Sequence, residues 1–137
     1  MNILIDTDVL IDVALDRKPF EFHAGKLIDQ LQQMPGVASI AWHSVANFYY
    51  LVKPQRGSKD TLLFVEDLLK FVSIAPTVTE DVLFAISLDM TDFEDGLQVA
   101  AALAARASYI VSRNARDFKR SPVPVVSPKG CIELFDK

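Results

Sequence analysis

Met1-Asn2-Ile3-Leu4-Ile5-Asp6-Thr7-Asp8 is the stretch on which the fold reading turns. Ile3-Leu4-Ile5 is apolar without alternation and breaks directly into an acid, a hydroxyl and a second acid. Such a run reads as a strand covered on both faces, the mark of a parallel sheet. Open parallel sheets hold their ligand sites beyond the carboxyl ends of the strands, and Asp6 stands at that edge. A plain structural reading competes: Val9-Leu10-Ile11 resumes a helix-compatible pattern, and Asp6 or Thr7 would cap that helix.

Outward from this stretch, strands and helices alternate. Residues 2–6 predict a strand, 8–16 a short helix, and Pro19 opens a helix reaching Met34, where Pro35-Gly36 stops it. Residues 37–40 predict a second strand, followed by a helix over 42–52 that ends before Pro54. Lys53 to Lys59 reads as a polar, basic loop. Then come a helix over 59–71, a strand near 72–75, a helix over 79–89 and a helix from Glu94 to Ala107. A strand at Tyr109-Ile110-Val111, an edge strand over 123–126 and a terminal helix after Pro128 complete the chain. Strands separated by helices imply a mostly parallel central sheet in a three-layer α/β/α sandwich. With 137 residues and no repeats or linkers, residues 1–137 read as one domain.

Half of the residues are hydrophobic and the mean hydropathy is +0.22, so a full core is available and disorder is not expected. Charge interrupts the longest apolar stretches, which argues against a membrane span. No basic leader followed by an apolar core and a cleavage site is visible. The single cysteine, Cys131, excludes an internal disulfide and fits a reducing cytoplasm. A net charge of −4 argues against a general nucleic-acid binder, although a local basic patch is compatible with an acidic whole.

Two further clusters carry chemistry. In Asp92-Phe93-Glu94-Asp95-Gly96-Leu97-Gln98, a helix starting near Phe93 puts Asp92, Asp95 and Gln98 on one face. Capping by Asp92 and dipole complementation by Glu94 and Asp95 account for part of this acidity. Three acids in four residues exceed that need, and Gly96 would let a phosphate approach the backbone. Ser112-Arg113-Asn114-Ala115-Arg116-Asp117-Phe118 again places hydroxyl, amide and acid groups after a strand, where a simple turn is the alternative. Carboxylates without a cysteine or histidine set suit Mg²⁺ or Mn²⁺, which activate water and neutralise phosphate oxygens. Arg106, Arg113, Arg116, Lys119 and Arg120, with Lys53, Arg56 and Lys59 as a second group, would suit a polyanionic substrate.

Other features read as structural. Asp8, Asp12 and Asp16 form an i,i+4 stripe in which Asp12 and Asp16 belong to a solvated helix face. Trp42, Phe48, Tyr49 and Tyr50 read as core residues rather than a base-stacking platform. His23 reads as a surface or satisfied histidine, whereas His43, one turn before Asn47, could face the site with it.

Asp6-Thr7-Asp8-Val9-Leu10, Asp92-Phe93-Glu94-Asp95 opening an alanine-rich helix, and Ser112-Arg113-Asn114 followed by Asp117-Phe118 together resemble the PIN-domain nucleases. The order, spacing and chain length all fit, and Pro124-Val125-Val126-Ser127-Pro128 looks like the end of one bacterial, VapC-like branch. The resemblance implies acids clustered at strand ends around Mg²⁺ or Mn²⁺, and cleavage of single-stranded RNA, in bacteria often as the toxin of a toxin–antitoxin pair. Carried over residue by residue, Asp6 matches the first acid and Asp95 the acid heading the late helix, with Asp92 auxiliary. Asn114 stands where many members have aspartate, and Asp117 is the further acid. Asn47 occupies the place of a glutamate, and Asp8 that of an asparagine or serine. On this reading Asp6, Asp95 and Asp92 hold the metal, Asn114 and Asp117 assist, and Arg113 and Arg116 hold substrate phosphates. Asp8, Asn47 and Ser112 stand beside them without a settled role.

Asp6-Thr7-Asp8 also resembles the acid pair of haloacid dehalogenase-type phosphatases, but position 10 is Leu and no clear lysine motif follows. A third reading is a PIN-like module that binds RNA or protein without cutting, favoured by Asn47 and Asn114. RNA, an antitoxin protein and a second copy of the chain are the partners these readings carry.

Overall fold

A computed structural model describes all residues, 1–137. Five parallel strands form one sheet in the order β3-β2-β1-β4-β5: β1 Ile3–Ile5, β2 Ala38–Ile40, β3 Val72–Ile74, β4 Tyr109–Val111 and β5 Val125–Val126. The helices are α1 Thr7–Ala14, α2 Glu21–Leu31, α3 Trp42–Arg56, α4 Ser58–Leu68, α5 Thr79–Ser87, α6 Phe93–Ala104 and α7 Pro128–Phe135. The uninterrupted apolar run of β1 is explained by cover on both faces. Ile3 and Ile5 join the larger core with Val9, Leu10, Leu27 and Phe48, while Leu4 joins a second core with Val99, Ala102 and Ile110. Alternate residues of one strand thus feed opposite layers, giving the expected three-layer sandwich.

From β1 the chain builds outward to β2 and β3, then returns to the other side of β1 as β4 and β5. The reversal lies between β1 and β4, registered Ile3 with Tyr109 and Ile5 with Val111. A crevice opens at such a switch point, outside the carboxyl ends of both strands. Asp6 leaves β1 there and Ser112 leaves β4 there.

Two expectations about elements are corrected. Pro54 does not end α3, which runs on to Arg56. A proline near the end of a helix forfeits one bond, to the carbonyl four residues back, and that carbonyl belongs to the exposed Tyr50. Lys53 to Lys59 is therefore not a loop: Gly57, at φ 80, makes a one-residue corner and α4 starts at Ser58. Only a residue at ease in the left-handed region turns there without strain. No helix is long and apolar enough to cross a membrane.

Candidate functional site

Asp6 is fixed from three sides. Its N–H donates to the Val111 carbonyl at 2.9 Å, tying the end of β1 to β4. Oδ1 accepts from Thr7 N–H at 2.8 Å, so the capping reading is correct, and Oδ2 accepts from Ser112 Oγ at 2.8 Å. Capping and site placement are thus compatible in one side chain, which is 6% exposed. Burial, then the neighbouring Asp8 charge and more weakly that of Asp95, outweigh these hydrogen bonds and push the Asp6 carboxyl up to about 8.

Asp8 follows Asp6 into the same crevice. Its Oδ2 accepts from Asn114 Nδ2 at 2.7 Å and from Ser112 Oγ at 3.3 Å, while Asn114 N–H donates to Ser112 Oγ at 3.1 Å. Oδ1 is buried and has no hydrogen-bond partner. Burial raises the Asp8 carboxyl as well, partly opposed by Arg113. From α6, Asp95 is half-buried and pushed up to about 7 by burial, then by Asp92, Asp117, Glu94 and Asp8. Asp92 caps α6, its Oδ1 accepting from Glu94 N–H at 2.9 Å.

Asp6, Asp8, Asn47, Asp92, Asp95, Asn114 and Asp117 all line one cleft of about 480 Å³. Asp6, Asp92 and Asp95, which the sequence expects to share one ion, line this cleft together. No three His, Cys, Asp or Glu side chains are grouped tightly enough to hold an ion as they stand. Asp6 is held by Thr7 and Ser112, and Asp92 is committed to its cap. The donor set nevertheless suits a hard divalent cation: it is all oxygen, crowded with like charge, and includes the orphaned Asp8 Oδ1.

Three sequence assignments change. Asp12 is not on a solvated face: it is 1% exposed and receives Arg113 Nε at 2.8 Å, with Arg17 at 4.0 Å. Arg113 is accordingly taken, and its guanidinium also lies over the Phe20 ring, 4.2 Å from the centroid. It is not a free phosphate contact. Gly96 does not face a ligand; a Cβ there would meet the Ala85 carbonyl oxygen at 3.1 Å, so it lets α5 and α6 approach. Arg116, unlike Arg113, has no carboxylate partner and is exposed. It lines an adjoining cleft of about 370 Å³ with Lys119 and Arg120, and this cleft shares Asp92, Asp95 and Asp117 with the first.

Some residues of the site were left without a role there by the sequence reading. Glu94 turns into the acidic cleft, where His43 Nε2 stands 3.7 Å from its Oε1 and that contact holds the carboxyl below its usual range. Beneath the cleft, Thr7 Oγ1 donates to Ser44 Oγ at 2.8 Å, and Gln98 Nε2 donates to both, at 3.2 and 2.9 Å. The sequence hints at this lock only through polar residues, Thr7 and Ser44 in the first turns of α1 and α3 and Gln98 one turn into α6 on the face of Asp92 and Asp95. Arg17, Tyr50 and Leu51 also line the cleft. Of the four aromatics expected in the core, Phe48 is there, but Trp42 and Tyr50 are 73% and 71% exposed.

A PIN-domain family model matches residues 2–116. The chain belongs to the PIN-domain family. That removes the dehalogenase-type phosphatase reading. Among solved structures, this PIN domain is similar to VapBC2 from Rickettsia felis, bound to a DNA fragment from its promoter, at 15% identity and TM-score 0.69, covering 93% of this chain and 98% of that one. A toxin–antitoxin complex from Klebsiella pneumoniae matches at 22% identity and TM-score 0.67, again over 93% and 98%. VapC20 from Mycobacterium tuberculosis, a sarcin–ricin loop cleaving toxin, matches at 14% and 0.66 over 88% and 93%. At these identities the likeness is one of fold. No curated protein matches in sequence.

Proposed function

We propose that this PIN domain is a divalent-metal-dependent endoribonuclease and the toxin member of a toxin–antitoxin pair. The observation that carries the reading is the crowding of Asp6, Asp8 and Asp95 in one cleft whose neighbour presents Arg116, Lys119 and Arg120. Carboxylates whose protons are held near neutrality by burial and by one another are relieved by a cation. Asp6, Asp95 and the free Oδ1 of Asp8 would hold Mg²⁺ or Mn²⁺, with Asp92 assisting. Bound there, the ion supplies a water nucleophile near neutral pH and neutralises phosphate oxygens.

The chain does the positioning. Ser112 and Thr7 fix Asp6, and Asn114 fixes Asp8, so the acids meet substrate in set orientations. Asp117 lies at the boundary of the two clefts. Arg116 and Lys119 hold phosphates flanking the scissile one without reading sequence. The toxin–antitoxin role is supported by fold relatives that are toxin–antitoxin complexes, and RNA as substrate by the relative that cleaves the sarcin–ricin loop.

The binding-only reading draws support from the amides at Asn47 and Asn114 and from the spacing of the acids. Cleavage of RNA in Mn²⁺, its arrest by EDTA, and the behaviour of Asp95→Asn separate the two. The nuclease reading expects Asp95→Asn to abolish cleavage yet keep or tighten RNA binding, since it removes negative charge facing phosphate. Full activity in EDTA, or in an Asp6→Ala Asp95→Ala double variant, overturns it.

A further inference from the structure

Tyr50 is the one large aromatic residue on the wall of the acidic cleft, and it is also among the most exposed. Burial gives no account of it, because nothing in the fold covers its ring. Its backbone is well placed for a fixed role. Tyr50 lies within α3, the longest helix, and its ring meets Tyr49 edge-on at 5.1 Å between centroids. Tyr49 is itself anchored: its hydroxyl pairs with Ser58 Oγ at 3.0 Å, and Lys53 Nζ sits 5.6 Å from its ring centroid. The neighbouring lining residue Leu51 is exposed, and Arg17, 4.0 Å from Asp12, lines the same cleft. Aromatic faces interleaved with cations beside a phosphate-binding centre are what single-stranded nucleic acid uses, since every base has a π-face and a stacked base must be unpaired.

We propose that Tyr50 is a substrate-positioning residue on whose ring an unpaired RNA base, next to the cleaved phosphate, stacks. The strand then crosses the acids with Arg116 and Lys119 on one side and Tyr50 on the other. This rests on the nuclease reading for the meaning of the site but not for the binding itself. Inside a duplex the bases are stacked on one another and present no face to Tyr50, so the residue selects for single-stranded segments at the point of cleavage.

The test uses the full chain carrying Asp95→Asn and a fluorescent mixed-sequence single-stranded RNA of twelve nucleotides, with a duplex of the same length beside it. Tyr50→Ala and Tyr50→Leu are expected to weaken single-strand binding about tenfold, Tyr50→Phe to stay within about twofold, and duplex binding not to change. Retention by Phe but not Leu marks a stacking ring rather than apolar bulk. Equal binding by Leu and Phe, or equal losses on single strand and duplex, overturns the proposal. So does unchanged RNA binding with a weakened self-association of Tyr50→Ala in sedimentation, which would give this face to a second copy of the chain. Circular dichroism checks that each variant is folded. If the unmutated chain in Mn²⁺ leaves the RNA intact while the Tyr50 series behaves as expected, the nuclease reading fails and the stacking site stands.

Discussion

Asp12 carries a carboxylate into the interior and Arg113 meets it there, with one Nε–Oδ2 bond of 2.8 Å and a longer Nη2–Oδ1 contact of 3.4 Å. Removing one partner of such a pair strands the other charge. Arg113→Ala should therefore cost about 3 kcal/mol of stability, read by denaturant unfolding, and a second change, Asp12→Asn, should restore part of it. Arg116, three residues on, is exposed in the basic cleft. Arg116→Ala should leave stability within about 0.5 kcal/mol but weaken RNA binding and lower its salt slope by about one. The two arginines look alike in sequence, since each follows a strand end by a few residues. What separates them is a partner 101 residues away, Asp12, which an i,i+4 acidic stripe presents as solvated. Asp6, by contrast, was legible because a local feature, the abrupt end of an apolar strand, fixes its place.

The helix pair α5–α6 holds Asp92 and Asp95 at the cleft, and Gly96 sets how closely the pair packs. A side chain there would press on the Ala85 carbonyl oxygen, backbone that cannot swing aside as a side-chain tip would. Gly96→Val is expected to cost about 2 kcal/mol and to lower metal-dependent cleavage, whereas the same substitution at Gly25, with open space around it, should spare the site. Thermal unfolding and cleavage rate together check this. The central strands β1 and β4 were visible as short apolar runs because both of their faces are covered, whereas β2 and β3, farther out, carry a serine at their centre, Ser39 and the exposed Ser73. Helix ends were less visible. Pro54 signals a stop by local rule, yet the cost of one lost bond, to the Tyr50 carbonyl, falls within what the remaining turn and the Gly57 corner tolerate. Gly96 was visible as a glycine among acids, but its neighbour is α5, and only the packed structure tells a phosphate from a helix there.

Across the whole molecule, the crowded acids make stability depend on pH and on divalent ions. In an unfolded chain Asp6 and Asp95 would titrate at their ordinary 3.8, while folded they titrate at about 8 and about 7. Between those limits the folded state binds more protons than the unfolded one, so stability declines as pH rises. Without divalent ions the melting temperature should be higher near pH 5 than near pH 8, opposite to a protein held by salt-bridged carboxylates. A cation competes with those protons, so Mn²⁺ should stabilise more at pH 8 than at pH 5. At a concentration a hundredfold above its dissociation constant the gain is about 2.7 kcal/mol, or roughly 10 °C in melting temperature. Asp6→Asn removes both the buried charge and a ligand, so it should flatten the pH dependence and the Mn²⁺ response together. Calorimetric scans at the two pH values, with EDTA and with Mn²⁺, read all three effects. A pH slope that survives Asp6→Asn unchanged would move the proton binding elsewhere in the fold. A Mn²⁺ response that survives it would separate the ion from the acid that closes β1.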